Sequence, residues 1–225
     1  MNFLTLNPKA TILGLAIGIL MIILGRAFGL FFFILMFWFL IISAIVSFIG
    51  KKYKIEKRLF EDSRGVKNVI ANGLWPLIIV ILYYFLYLNY PIALIFAFVG
   101  GVAAVAADKF SSEIGVLDGE PIMLFTLKRV KKGTSGGITP LGTFAGLVGA
   151  ILIGLIILFA YSFLYIHGVN PYVLFVAAII SGLAGTLFDS LLGYFEEKHI
   201  GTKYSTNFFA SMFGSLIAII ILLLI

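Results

Sequence analysis

The residues best placed to do chemistry are acids at the ends of apolar runs. In Ala106-Ala107-Asp108-Lys109-Phe110-Ser111-Ser112-Glu113, two carboxylates close a long hydrophobic stretch. Burying charge there is costly unless a partner is supplied. The pattern partly recurs: Gly101-x-Ala103-Ala104-x-x-x-Asp108 is echoed by Gly182-x-Ala184-Gly185-x-x-x-Asp189. On a helix, Gly101, Ala104 and Asp108 share one face, and Gly182, Gly185, Asp189, Gly193 and Glu196 share another. Small residues beside an acid leave room for an ion or a phosphate. Mg²⁺ suits such a place, because it takes one or two carboxylates together with waters and phosphate oxygens. Close helix packing explains most small-residue faces, but it does not explain an Asp at the end of both.

Glu113 follows Asp108 by five residues, so on a straight helix it points about 140° away. The two acids share an ion only if the helix ends or bends between them, and Gly115 suggests an ending near Ser112. On that expectation Asp108, Glu113 and Asp189 form the metal set. The alternative for Glu113 is an ion pair with a nearby lysine.

Residues 126–142 read Thr-Leu-Lys-Arg-Val-Lys-Lys-Gly-Thr-Ser-Gly-Gly-Ile-Thr-Pro-Leu-Gly. Lys128, Arg129, Lys131 and Lys132 supply positive charge. Gly133, Gly136 and Gly137 let the backbone turn amides toward an anion, and Thr134, Ser135 and Thr139 add hydroxyls. The following helix begins near Gly142 and also favours phosphate. The lysines precede the glycines, so this is not a Walker A motif. A basic loop without a ligand is the plain alternative, and the nearby acids argue against it. Arg64, Lys67, Asn68 and Asn72 stand at the entrance of another span, where lipid-headgroup contact competes with a site role. Asn207, Ser211, Gly214 and Ala218 form a polar-to-small face on the last span. His167 and His199 have no partner motif, and no Ser-His-Asp arrangement is visible.

The elements that must hold these residues are membrane helices. Hydrophobic residues make up 62% of the 225 and charged residues 12%, which specifies an integral membrane protein. There is no cysteine, so disulfides, thiolate metal sites and cysteine nucleophiles are excluded. The net charge of +6 is explained by loops facing anionic lipid and cytoplasm, not by nucleic acid. Apolar runs fall at 10–24, 27–49, 70–88, 91–107, 141–166, 172–192 and 207–225, which predicts an all-α polytopic fold of about seven spans. The first run is short for a bilayer of about 30 Å and is expected to tilt, thin the membrane or cross it only in part. Its resemblance to a signal peptide is outweighed by the lack of a small-x-small cleavage site.

Seven spans put Lys9 and the basic loops 50–69, 108–140 and 193–206 on one face and leave Arg26 opposite. By the positive-inside rule that face is cytoplasmic, with the N-terminus in and the C-terminus out. Asn89-Tyr90-Pro91 and Asn170-Pro171 each open a unit that carries the Gly-to-Asp pattern, which suggests two parallel repeats. A helix rises about 26 Å from Pro91 to Asp108 and from Pro171 to Asp189, so both acids lie at similar depth near the cytoplasmic boundary.

The blocks RGVKNVIANG, AADKFSSEIG, TLKRVKKGTSGGITPLGTFAG and SGLAGTLFDSLLG resemble the membrane family that includes transmembrane protein 19 and the plant phytyl-phosphate kinases. The resemblance covers about residues 64–215. It implies transfer of a phosphoryl group from a nucleoside triphosphate, CTP in the plant enzymes, to an isoprenyl monophosphate. Carried over residue by residue, Asp108, Ser112, Glu113, Lys128, Gly133, Thr134, Gly136, Gly137, Asp189 and Ser190 match its motif blocks. Lys109 departs from it, since a threonine or similar small polar residue is expected after this Asp.

The resulting expectation is one integral membrane domain over 1–225, with N-terminal spans and a basic loop in 1–63 and a catalytic core in 64–225. Asp108, Glu113 and Asp189 would hold Mg²⁺. Lys128, Arg129, Gly133, Thr134, Ser135, Gly136, Gly137, Ser190 and Asn72 would bind the nucleotide and phosphates. Partners would be the lipid monophosphate, the triphosphate and membrane lipids, with a homodimer compatible and nucleic acid not expected. A polyprenol kinase or lipid cytidylyltransferase is the nearest alternative. A cation-coupled transporter is the alternative of another class, and would carry its acids mid-membrane on broken helices.

Overall fold

A computed structural model describes residues 4–61, 63–164 and 168–225. Its helices are α1 (Pro8–Leu24), α2 (Gly29–Phe48), α3 (Lys51–Glu56), α4 (Val66–Leu86), α5 (Pro91–Gly115), α6 (Pro140–Leu164), α7 (Pro171–Glu197) and α8 (Lys203–Leu223). Among the described residues six helices are long and apolar enough to cross a membrane; α1 is the shorter apolar one. The chain is therefore a multi-pass, all-α membrane protein.

Helix starts follow local chemistry. Pro8, Pro91, Pro140 and Pro171 occupy first-turn positions, where the missing N–H costs nothing. Asn7 accepts from the Ala10 amide at 2.9 Å, and Asn170 from the Tyr172 amide at 2.9 Å. Thr202 and Ser205 form a reciprocal cap for α8.

Although short, α1 lies along the whole of α4. At one end the Asn7 amide donates to the Arg64 carbonyl at 3.1 Å, just before α4 begins. At the other, Arg26 stacks over Tyr84 and Tyr87, at 4.4 and 4.1 Å from the ring centroids, where α4 ends. The short first run is thus matched to α4 in depth.

The core is built on α5, whose most apolar window is 78% buried, far above any other span. α5 packs on α6, α7 and α8, and α7 packs on α5, α6 and α8. Small residues permit this closeness. A Cβ on Gly214 would lie 2.6 Å from the Gly100 carbonyl, and one on Gly185 would overlap the Ala104 side chain. Ser211 and Ser215 on α8 donate to the Gly101 and Ala97 carbonyls of α5, at 3.1 and 2.6 Å. Gly101 faces α8, while Gly182 faces Ala150 of α6. Each central helix therefore packs on the other hairpin's return helix.

Two sequence expectations change. First, the 91–107 run extends as helix to Gly115, through Asp108 and Glu113, without ending near Ser112. Hydropathy marks the apolar layer, whereas hydrogen bonding carries the helix beyond it. Second, the loop 116–139 contains a small antiparallel pairing of β1 (Ile122–Met123) with β2 (Gly137–Ile138). His167 lies outside the described residues, and His199 is exposed beyond α7.

The loops 49–65, 116–139 and 198–202 gather at one end of the bundle, which carries the basic residues. Cysteines introduced singly at exposed Ser63 and Gly119 are expected to be shielded from an impermeant thiol reagent in intact cells, since the native chain has no cysteine. Strong external labelling at Gly119 would reverse the orientation.

Candidate functional site

At the basic end, a polar cavity of about 300 Å³ opens between α5, α7, α8 and the glycine-rich loop. Asp108 and Asp189 meet in its wall, with their carboxyls within hydrogen-bonding reach of each other. Two carboxylates so placed repel unless a proton or a cation lies with them. Asp189 Oδ1 is buried and has no hydrogen-bond partner in the protein. Ser112 Oγ lies 3.4 Å from Asp108 Oδ1, and Lys203 and Lys109 offset part of the Asp108 charge. The shared depth expected from the two Gly-to-Asp patterns is realised as direct juxtaposition.

Gly133, Thr134, Ser135, Gly136, Gly137 and Ser190 all line this cavity. The loop is clamped on α7. Gly136 has φ +79°, and a Cβ there would lie 2.6 Å from the Ser190 carbonyl. A Cβ on Gly193 would overlap the Gly136 backbone nitrogen. These two glycines thus let two backbones touch. Phe125 stacks on Tyr194 with ring centroids 4.3 Å apart. Ser135 donates its amide to Glu197 Oε1 at 2.7 Å and its hydroxyl to Glu196 Oε2 at 2.9 Å. The Thr134 and Gly137 amides donate within the loop, to Lys131 and Thr134 carbonyls. Three of the amides expected to meet phosphate are therefore committed in this state. At the start of α6, the Asp118 carboxylate accepts from the Leu141 amide at 3.2 Å. Backbone N–H groups of Gly119 and Leu141 hold it below the usual carboxylate range.

Four expected site residues do not take the places expected of them. Glu113 lines the same cavity, but its carboxylate does not join the aspartates, and no group of three or more His, Cys, Asp or Glu side chains able to hold a metal occurs among the described residues. Glu113 instead joins Lys54 Nζ at 2.5 Å, Arg64 Nη2 at 3.3 Å, and Lys109 one helical turn back. Ser47 Oγ donates to it at 3.1 Å. The unbroken helix is the reason, because it turns Glu113 toward α2 and α3. The second correction concerns Lys128 and Arg129. Both are exposed and outside the cavity, and Arg129 pairs with Glu120 at 3.6 Å. The turn between β1 and β2 points them outward. Lys132 and Lys203 line the cavity in their place. Lys132 also donates to the Tyr53 hydroxyl at 2.8 Å. Third, Asn72 does not line the polar cavity; its Oδ1 accepts from Asn207 at 3.0 Å, and Asn207 does line it. Lys203 was missed because charge alone does not single out one loop lysine; its signal is its place four residues before Asn207 on α8.

The fold and site define a polytopic membrane protein with a polar cavity, its wall holding two adjacent aspartates, at one end of its helix bundle. The chain belongs to the family described as integral membrane protein DUF92, whose pattern matches residues 2–219. It is 37% identical over 195 residues to an uncharacterized membrane protein of Methanocaldococcus jannaschii, covering 86% of this chain and 77% of that one. It is 38% identical over 106 residues to Protein PGR of Arabidopsis thaliana, covering 45% of this chain and 37% of that protein. No solved structure matches.

Proposed function

We propose that this protein transfers the γ-phosphoryl group of a nucleoside triphosphate, CTP by family resemblance, to an isoprenyl monophosphate at the cytoplasmic face. The observation that carries this reading is that one polar cavity joins Asp108, Asp189 and the glycine-rich loop. An oxygen of the acceptor phosphate attacks the γ-phosphorus. The bond from that phosphorus to the β,γ-bridging oxygen breaks, and the nucleoside diphosphate leaves with the electron pair. The product is an isoprenyl diphosphate. The acceptor is already anionic, so no strong general base is needed.

The residues present suit Mg²⁺: two adjacent carboxylates, one with a buried oxygen lacking a partner, beside room for phosphates. Asp108 and Asp189 would hold it, and it would neutralise charge on the donor phosphates. Lys132 and Lys203 add positive charge around the cavity, and Ser135 and Ser190 add hydroxyls. Phosphate would displace Glu196 and Glu197 from the Ser135 donors. The transporter alternative gains no support, since α5 and α7 run unbroken through their acids.

Purified protein with Mg²⁺ and radiolabelled CTP or ATP should yield labelled isoprenyl diphosphate, and a panel of donors and acceptors would set its preferences. If no acceptor monophosphate, prenol or lipid is labelled from any triphosphate by the folded protein, the phosphotransferase reading is wrong.

A further inference from the structure

A second cavity, of about 140 Å³, lies between α1, α2 and α4 on the membrane side of the Glu113 cluster. Its walls are apolar, with Ile17, Met21, Phe33, Phe37 and Leu40 among them. Gly14 and Gly73 keep it open. A Cβ on Gly14 would meet only Leu6, at 3.9 Å, and one on Gly73 only Ile17, at 3.6 Å. Its basic end is different. Arg64, Lys109, Asn68 and Asn72 line it there.

Cations crowd together at that end. Lys54, Arg64 and Lys109 all pair with Glu113, so three cations share one carboxylate at ion-pair distance, with Asp108 acting on Lys109 from the neighbouring cavity. Glu61 acts on Arg64 only through space. Lys54 is fully buried and Arg64 nearly so. Burial pushes the Arg64 guanidinium below its usual range, with Glu113 opposing the shift. Arg64 Nε is buried without a hydrogen-bond partner. Buried cations that share one carboxylate in this way suit a further anion. Lys109 also lines the polar cavity, so it stands in the wall between the two.

We propose that this apolar cavity seats the hydrocarbon tail of the isoprenyl monophosphate, with Arg64 and Lys109 meeting its phosphate at the wall shared with the polar cavity. A phosphate monoester carries up to two negative charges, which would complement cations that share one glutamate. The tail reaches the cavity laterally from the bilayer, and the phosphate faces the donor's end of the neighbouring cavity. The identity of the ligand rests on the phosphotransferase reading.

The test uses the full-length protein in nanodiscs, without nucleotide, and an isoprenyl monophosphate bearing a diazirine near the end of its tail. Adducts are expected on 14–21 of α1 or 33–40 of α2. Unlabelled isoprenyl monophosphate should compete, whereas the parent isoprenol and phosphatidic acid at equal concentration should not. Lys109→Met should lower labelling at least tenfold, and it should fold because it removes one of the cations that share Glu113. Adducts confined to outer helix faces, equal competition by isoprenol or phosphatidic acid, or wild-type labelling of Lys109→Met would each overturn the proposal. Specific labelling without any phosphoryl transfer would sink the catalytic reading alone. Transfer without this labelling would sink the tail site alone.

Discussion

Asp108→Asn and Asp189→Asn are each expected to lower phosphoryl-transfer turnover by about two orders of magnitude or more, near the ~3 kcal/mol scale of one lost catalytic electrostatic contact. The reason is their juxtaposition across α5 and α7, which makes them one unit for holding a cation against the donor phosphates. The double variant should therefore be far less impaired than the product of the two single losses. Asn keeps the shape of each side chain but removes one of two repelling charges. Thermal stability in detergent should consequently stay level or rise. Single-turnover rates at saturating Mg²⁺ and donor, alongside unfolding curves, would test both halves. Wild-type turnover of either folded single variant would reduce the aspartates to packing features and remove the main support for the proposed chemistry.

Much of this arrangement is legible in the chain because a few local rules act without help from tertiary structure. The Asn-Pro and Tyr-Pro helix starts and the Gly-to-Asp patterns fix where α5 and α7 begin and which faces carry their acids. Nearly equal spacings from Pro91 to Asp108 and from Pro171 to Asp189 then bring the acids to one level. What composition does not show is direction across the bundle. Glu113 lies on the same helix as Asp108 but on a different face, and its partners come from α2, from α3, from Arg64 just before α4, and from its own preceding turn. Lys54 and Arg64 sit in a basic stretch that reads as solvated loop, yet both turn inward. The loop lysines show the reverse: Lys128 and Arg129 lie closest in sequence to β1, and the turn sends them to solvent while Lys132 comes inward. Charge runs specify a face of the membrane well, but not which member of the run reaches a site.

Glu113 gives the sharpest separation between the two roles open to it. Glu113→Gln removes the carboxylate that, among the described residues, pairs Lys54, Arg64 and Lys109. It would leave Lys54, which is fully buried, without an opposite charge. Losing one partner of a buried ion pair typically costs about 3–5 kcal/mol, because the remaining charge is stranded, not because the pair itself was worth that much. A loss of this size is expected in reversible denaturant unfolding in mixed micelles. Adding Lys54→Met to Glu113→Gln removes the most deeply stranded cation along with its partner, so the double variant should recover most of the stability. That recovery distinguishes charge balance from simple loss of packing, since Lys54→Met changes no contact made by the glutamate with Ser47 or Arg64. A metal-holding role predicts the opposite pattern: near-normal stability, lost Mg²⁺-dependent turnover and no recovery from changing Lys54. Finding that pattern would return Glu113 to the aspartates' site and overturn the charge balance on which the acceptor seat depends.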